Sequence, residues 1–216
     1  MKRPARSATE SIAYRIVPAD PRAHLFEVEL TIAEPAAQGQ QLSLPAWIPG
    51  SYMIREFARH VVRIEARDAR GALRLDKLDK HTWRAAPARG ALVVSYTVYA
   101  WDLSVRAAHL DTTHGFFNAT SVCLRVVGGE ALPCTVDLEP PPASVARDWQ
   151  VATTLPEAGA RRGGFGRYRA ADYDALADHP VEMGRFVSVA FEAAGLIRLT
   201  CQAWKYSWLA SPRKVR

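Results

Sequence analysis

Short segments in which apolar and polar residues alternate recur along most of the chain. The clearest is His24–Ile32, where every second residue from Phe26 to Ile32 is large and apolar and the residues between are Glu or Thr. Ala91–Trp101 also alternates and carries strand-forming residues on both faces. A period of two residues is that of a β-strand. About a dozen such segments at short spacing predict an all-β fold, an antiparallel β-sandwich or a saddle-like arrangement of sheets.

Helical patterns are scarce. The best is Asp172–Asp178, where Asp172 is a suitable N-cap residue and Pro180 cannot continue a helix. The residues Val122, Leu124 and Val126 alternate and predict a further strand instead. The chain is therefore expected to contain one or two short helices in an otherwise β fold.

The segment Leu44–Tyr52 combines two prolines with large apolar residues. Pro45 and Pro49 fix their own φ angles and favour extended geometry in the residues before them. Pro49-Gly50 is typical of a turn. The residue-level interpretation is a rigid structural corner buried around Trp47, Ile48 and Tyr52.

The charge pattern gives no positive evidence for nucleic acid or membrane as a partner. The 28 Lys and Arg residues exceed the 22 Asp and Glu residues by six, but they are scattered along the chain. The longest apolar-rich segment, Ala91–Trp101, is far shorter than the ~18 residues that a membrane-spanning helix needs. With no signal-like apolar segment after the basic start, the expected location is the cytoplasm. Three cysteines without C-x-x-C spacing are expected to be free thiols.

Histidine spacing argues against metal chemistry in this chain. None of the six histidines is followed by glutamate, and none has a histidine four residues further on, so the H-E-x-x-H motif of zinc peptidases is absent. His109, Asp111 and His114 have the irregular spacing H-x-D-x-x-H, which is interpreted as an ordinary polar loop. The sequence therefore predicts no catalytic residue and no metal site.

Three long motifs resemble one known family. They are Leu44–His60 (LPAWIPGSYMIREFARH), Tyr99–Ser121 with its core DLSVR and GFFNATS, and Asp172–Gly184 (DYDALADHPVEMG). The chain over residues 10–195 resembles the N-terminal domain of the glycyl aminopeptidase family of zinc metallopeptidases, peptidase family sixty-one. The resemblance implies an N-terminal β domain that is followed, in the intact enzyme, by a thermolysin-like catalytic domain and a PDZ domain.

The resemblance also implies a substrate contact. In related aminopeptidases a polar strand end at this place binds the free amine of the substrate, which here assigns Asn118 and Thr120 as ammonium acceptors and Phe117 as a pocket wall. The alternative is that Asn118 and Thr120 only satisfy backbone groups of a turn. Asp178, His179 and Glu182 have no nucleophile or metal motif beside them, and helix capping and interdomain docking are their expected roles.

The expected function is that of a docking domain that restricts a zinc aminopeptidase to peptide N-termini. Its partners would be the missing catalytic domain, which would carry the zinc, and the peptide N-terminus; alone, the chain is predicted to be inactive. We expect the Trp47–Tyr52 corner and the Phe116–Thr120 strand end to lie close together, facing that domain. Residues 1–195 would form the domain and residues 196–216 an aberrant or truncated tail. The alternative is a free-standing β-sandwich module that binds peptide or carbohydrate.

Overall fold

The computed structural model describes residues 11–48, 51–193 and 197–203, with the last strand pair described by its backbone alone from residue 188 onward. The described residues are mostly strand, as predicted, with two short α-helices and one 3-10 helix, Phe57–His60. No helix among them is both long and apolar enough to cross a membrane.

Seventeen strands and two α-helices are labelled in chain order. They are β1 Ile12–Asp20, β2 Leu25–Ile32, β3 Gln41–Ser43, β4 Val61–Asp68, β5 Gly71–Leu73, β6 Leu75–Lys77, β7 Thr82–Ala85, β8 Leu92–Tyr99, β9 Ala108–Leu110, β10 His114–Phe117, α1 Ala119–Val122, β11 Arg125–Val126, β12 Cys134–Leu138, β13 Gln150–Thr153, β14 Gly166–Ala170, α2 Tyr173–Ala177, β15 Val181–Gly184, β16 Val187–Ala193 and β17 Ile197–Ala203.

The strands form three larger sheets and one strand pair. The largest sheet has the order β14-β12-β1-β2-β8-β4-β5, and two four-stranded sheets have the orders β13-β15-β10-β9 and β11-β3-β7-β6. All their pairings are antiparallel except that of β1 with β12. A parallel pair needs a long connection, and more than a hundred residues separate these two strands in the chain.

The largest sheet buries one face and leaves the other in water. Tyr14, Leu30 and Val94 are register neighbours on β1, β2 and β8, and each is at most 1% exposed. The next row across the same strands is Arg15, Glu29 and Ser95. This is the alternation that the sequence predicted for a sheet with one face packed on the core.

Three buried tyrosine hydroxyls hold the backbone of Val122–Leu124, directly after α1. Tyr14, Tyr96 and Tyr173 each donate to one of its three carbonyls, at oxygen–oxygen distances of 2.7, 2.8 and 2.8 Å. The hydroxyl of Tyr96 also accepts a hydrogen bond from the Leu124 amide at 3.1 Å. Burial raises the pKa of all three phenols well above the usual value, so they stay neutral donors. The predicted strand through Val122, Leu124 and Val126 is therefore confirmed only at Val126, which lies in β11. At Val122–Leu124 side chains satisfy the backbone in place of a strand ladder.

Replacing Tyr96 with phenylalanine is expected to lower the free energy of unfolding by about 1.5 kcal/mol, because the Val122 carbonyl and the Leu124 amide both lose their buried partner. Urea unfolding followed by circular dichroism measures the change. Tyr99→Phe is the control, since Tyr99 is 39% exposed. Equal stability of the two variants would show that these hydroxyl bonds do not hold the segment.

The predicted helix and the predicted corner have different outcomes. The helix is confirmed as α2, whose first turn is capped by the Asp172 side chain accepting from the Ala175 amide at 2.6 Å. In the corner, Ile48 is buried but Trp47 is 52% exposed and Tyr52 is fully exposed. Burial of Trp47 and Tyr52 was therefore wrongly predicted.

The corner is held by hydrogen bonds, although its Pro49 and Gly50 lie outside the described residues. The Trp47 indole N–H donates to the Ser51 carbonyl, and the Ser51 amide donates to the Ile48 carbonyl at 3.2 Å. These bonds fix the Trp47 side chain without burying it.

Most of the predicted tail also lies outside the described residues, which exclude 194–196 and 204–216. Between them, β17 pairs antiparallel with β16 from Val187↔Ala203 to Ala193↔Ile197. The domain boundary at residue 195 and the aberrant nature of residues 196–216 stay predictions.

Candidate functional site

The predicted site residues follow one another at the end of β10 and in α1. Phe117 is 1% exposed and packs edge-on against Phe26, with ring centroids 5.6 Å apart. Its neighbour Phe116 points to the opposite face of the sheet and is partly exposed. Phe117 is thus a core residue that supports Asn118 from behind.

Asn118 ties two loops together. Its side-chain amide donates to the Val105 carbonyl and its backbone amide donates to the Ala107 carbonyl at 3.1 Å. Its backbone carbonyl accepts from the Ser121 amide and hydroxyl at 2.9 and 2.7 Å. Its side-chain oxygen has no hydrogen-bond partner among the described residues, so this atom could accept a bond from a ligand.

Thr120 lies in the first turn of α1 and is 3% exposed. Its hydroxyl oxygen is buried and has no partner in the described part of the chain. A buried hydroxyl without a partner is uncommon in folded proteins. The alternative was that both side chains only satisfy backbone groups of a turn. The Asn118 side-chain nitrogen does so, whereas the Thr120 hydroxyl does not.

The sheet β13-β15-β10-β9 has an outer face that carries polar side chains. Its register places Ala152, Glu182, Phe116 and His109 in one row across the four strands. Side chains in one row lie on the same face. His114 is two residues before Phe116 and so shares this face, whereas Phe117 belongs to the buried face.

Glu182 lies in an open pocket of about 510 Å³ on this outer face. The pocket is lined, among others, by Phe116, Tyr168, Phe186 and Arg162. One carboxyl oxygen of Glu182 is buried without a hydrogen-bond partner among the described residues. Burial raises its pKa from 4.5 to about 8, so the protonated form is favoured at neutral pH.

A polar cluster begins at the end of this row. It consists of His109, which belongs to the row, together with Asp111 and His114. One ligand-type atom from each lies within 4.8 Å of the others. Burial lowers the pKa of His114 to about 4, with Asp111 opposing the shift and His109 adding to it, and its imidazole is therefore neutral at pH 7. Burial alone would raise the pKa of the Asp111 carboxyl, but hydrogen bonds from Thr113, His114 and His109 hold it well below its usual range.

Trp101 continues this cluster as a column of rings. It stacks on His109 with centroids 4.9 Å apart, and His24 lies on Trp101 with centroids 3.8 Å apart. His109 in turn stacks on His114 at 4.7 Å. The column covers the two histidines of the cluster, which are 4% and 9% exposed.

The comparisons with known proteins agree with this fold. The model of the peptidase M61 N-terminal domain matches residues 13–185, which is most of the chain. The chain belongs to the peptidase M61 family. The predicted resemblance to an N-terminal domain of this family is thereby confirmed.

Solved structures extend the comparison of this M61 N-terminal domain. An aminopeptidase N family protein from Idiomarina loihiensis is 43% identical, with a TM-score of 0.84 over 88% of this chain and 32% of that one. An M1 zinc metallopeptidase E323A mutant from Deinococcus radiodurans is 11% identical, with a TM-score of 0.51 over 90% of this chain and 46% of that one. The second likeness shows the fold alone. The M61 domain spans about a third of the first protein and less than half of the second, and no curated protein sequence matches it.

Two loops connected to the Asn118 turn of the M61 domain carry exposed apolar residues. Leu103 and Val105, 71% and 75% exposed, lie in the loop that Asn118 binds through the Val105 carbonyl. In the second loop, the segment Tyr52–Ile54 is 65% exposed or more and leads into the 3-10 helix that packs against α1. Two apolar loops are thus connected to the same short helix.

Sequence reasoning missed Glu182 and the assembled cluster in this M61 domain. Glu182 was expected to serve docking, and only the pairing of β10 with β15 places it opposite Phe116. The pattern H-x-D-x-x-H becomes a cluster because β9 and β10 form a hairpin whose turn contains Asp111. Alternating residues on both sides of a short polar turn were the signal for that hairpin.

Proposed function

We propose that this chain serves as the N-terminal domain of a zinc aminopeptidase, beside the thermolysin-like catalytic and PDZ domains that the family resemblance implies. The observation that carries the proposal is the M61 match together with a 43% identical relative whose own chain is about three times as long as the shared part. The domain would cover the catalytic cleft and restrict it to peptide N-termini.

Docking is supported by the two exposed apolar loops. Large exposed apolar groups close together are typical of protein interfaces. Leu103, Val105 and Tyr52–Ile54 are exposed in the chain alone, and both loops are tied to the Asn118–α1 turn. A catalytic domain that covers them would come into contact with that turn.

Substrate contact is assigned to the same turn. The Asn118 side chain is held by its nitrogen on the Val105 carbonyl, which leaves its oxygen to accept from an ammonium group. Two residues further on, the buried hydroxyl of Thr120 has no partner among the described residues, and Phe117 fixes the turn from the core. A hydrogen bond to a charged group contributes roughly 1.5–3 kcal/mol, enough to select a free amine over a blocked one.

The catalytic zinc of the enzyme would be held by the catalytic domain, because this chain has no H-E-x-x-H motif. We therefore propose that the chain alone has no peptidase activity. Its buried Cys123 and Cys134 are free thiols, and burial raises the pKa of Cys134 to about 12. Unreactive free thiols suit the reducing cytoplasm.

A titration distinguishes the docking domain from a free-standing module. A dipeptide with a free amine is expected to bind this chain more tightly when the remaining part of the Idiomarina loihiensis relative is added. The N-acetylated form of the same dipeptide is expected to show no such increase in affinity. Asn118→Ala should weaken the free-amine binding by about tenfold through loss of one charged hydrogen bond. Calorimetry measures both.

The docking surface has a matched control. Leu103→Asp should abolish association with the added part, while Leu132→Asp should not, since Leu132 is an exposed leucine of another loop. Tight peptide or oligosaccharide binding by the chain alone would favour the free-standing module. Equal association of the two aspartate variants would contradict the proposed docking surface.

A further inference from the structure

The hairpin of β9 and β10 brings three metal-ligand side chains together. His109 lies in β9, His114 opens β10 and Asp111 lies in the turn between them, with Phe116 pairing with His109. The Asp111 Oδ1 atom accepts from the Thr113 amide, the Thr113 hydroxyl and the His114 amide, at 2.6 to 2.9 Å. These three bonds fix the carboxylate within 4 Å of a nitrogen of each imidazole.

The distances within this cluster suit shared coordination of one ion. His109 Nε2 lies 3.3 Å from Asp111 Oδ2, and His114 Nδ1 lies 3.6 Å from the other carboxylate oxygen, Oδ1. His114 Nδ1 also lies 3.2 Å from the Thr113 hydroxyl oxygen, a contact that an ion would have to replace. Two ligands of a tetrahedral zinc ion with bonds of about 2.0–2.1 Å are themselves about 3.3 Å apart. The two ring centroids are 4.7 Å apart, close to the roughly 5 Å expected for two imidazoles on one such ion.

His109 is buried, and its Nε2 atom, which faces Asp111, is only weakly paired. Its side chain is only 5% exposed, yet its Nδ1 atom has no hydrogen-bond partner among the described residues. Its Nε2 contact with Asp111 is longer than the usual 2.9–3.0 Å of an N–H···O bond. A buried imidazole with one long contact and one unpartnered nitrogen is poorly compensated by the protein alone.

We propose that His109, Asp111 and His114 bind a divalent zinc ion, separate from any ion of a catalytic domain. Two imidazoles and a carboxylate are a common zinc donor set, and the described residues supply three ligands, so the fourth position would hold water. The hydrogen bonds that orient Asp111 are the supporting contacts that a metal-bound carboxylate usually has. The proposal replaces the sequence-based expectation of a metal-free chain.

Metal binding here would stabilise the hairpin that leads into the Asn118 turn. An ion that binds only the folded state raises the melting temperature in proportion to the logarithm of its concentration over the dissociation constant. For a chain of this size, zinc at 100 times the dissociation constant should raise it by about 5–10 °C. This effect needs no catalytic domain and is independent of the proposed function.

The experiment titrates the untagged, chelator-treated chain with Zn²⁺ and with Co²⁺. We expect one zinc per chain by elemental analysis, the rise in melting temperature, and a visible Co²⁺ spectrum typical of tetrahedral nitrogen and oxygen ligation. Asp111→Asn keeps an oxygen that can accept the turn hydrogen bonds and should weaken zinc binding at least tenfold. His109→Gln should do the same, while His179→Gln, outside the cluster, should bind like the parent chain.

The proposal is overturned if the folded parent chain binds no zinc, or if both cluster variants bind it as tightly as the parent. A thiolate-to-cobalt absorption band would also overturn it, because it would assign the ion to cysteine. If Asp111→Asn fails to fold, His109→Gln and the parent Co²⁺ spectrum still decide. If the cluster variants keep their zinc affinity, only the metal site is contradicted. The docking proposal is tested separately, by peptide binding and by association with the added part of the relative.

Discussion

Replacing Phe117 with alanine is expected to lower the free energy of unfolding of this M61 domain by about 4 kcal/mol. Removal of a buried phenylalanine side chain loses its transfer free energy and leaves a cavity, which together usually cost about 3–5 kcal/mol. Phe117 is 1% exposed and contacts Phe26 edge-on, so its truncation leaves a cavity enclosed by the core. Denaturant unfolding of the chain measures the loss.

The control for this prediction is the preceding residue. Phe116 has the same side chain but lies on the outer face of the sheet, where Phe116→Ala should cost about 1 kcal/mol or less. Equal losses for the two variants would contradict the core assignment of Phe117. If the assignment is right, any effect of Phe117→Ala on peptide binding comes through displacement of Asn118.

The pair Phe116-Phe117 shows what the sequence can and cannot predict. Alternation indicated the strands in His24–Ile32 and Ala91–Trp101, which are confirmed as β2 and β8. Which of two adjacent phenylalanines faces the core depends on the register with β15, a strand more than sixty residues further along the chain. Gly115 reflects the same packing, because a Cβ atom there would lie only 3.0 Å from the Met183 side chain.

Other differences from expectation have similar long-range causes. The parallel pairing of β1 with β12 joins segments that no local pattern connects. The segment Val122–Leu124 alternates like a strand, but three distant tyrosines satisfy its carbonyls. Trp47 was expected in the core because it is large and apolar, whereas it is 52% exposed and its indole N–H donates to the Ser51 carbonyl. Local patterns predicted the class of fold well and side-chain environments less well.

The family motifs assigned a substrate contact to Phe117, Asn118 and Thr120, and that assignment stays a prediction. The structure places Asn118 beside a loop with exposed apolar residues, to which its side chain is hydrogen-bonded. The interpretation of His109, Asp111 and His114 as an ordinary polar loop depended on spacing alone. Spacing cannot show that the Asp111 turn folds the two histidines onto the same carboxylate.

Glu182 is expected to make the stability of the domain fall as pH rises between about 4.5 and 8. The folded-state pKa is raised by burial from 4.5 to about 8, so in this window the folded chain binds a proton that the unfolded chain has released. The contribution of the protonated Glu182 carboxyl to the free energy of unfolding is fully present below pH 4.5 and is lost as pH rises through 8. The full shift would correspond to about 5 kcal/mol, and solvent screening of the partly exposed group reduces this to roughly 2–3 kcal/mol.

Glu182→Gln tests this directly, because glutamine has nearly the same size and cannot ionise. The variant should be about as stable as the parent chain at pH 4.5 and more stable by roughly 2–3 kcal/mol at pH 8.5. Urea unfolding at several pH values measures the free energy of unfolding of both chains. The other titrating groups are the same in the two chains, so their effects cancel in the difference. Glu157→Gln, which removes an exposed carboxyl from the lining of the same pocket, is the matched control and should not give the gain in stability at pH 8.5.

Parallel stability curves for the parent chain and Glu182→Gln would show that water or a nearby cation already compensates this carboxylate. Curves that converge at low pH and separate at high pH would show that the pocket penalises the charged form. In that case a cationic group that enters the pocket and pairs with Glu182 would remove the penalty, as an opposite charge lowers a raised carboxyl pKa. The aromatic side chains of Phe116, Tyr168 and Phe186 around it would favour the same kind of group.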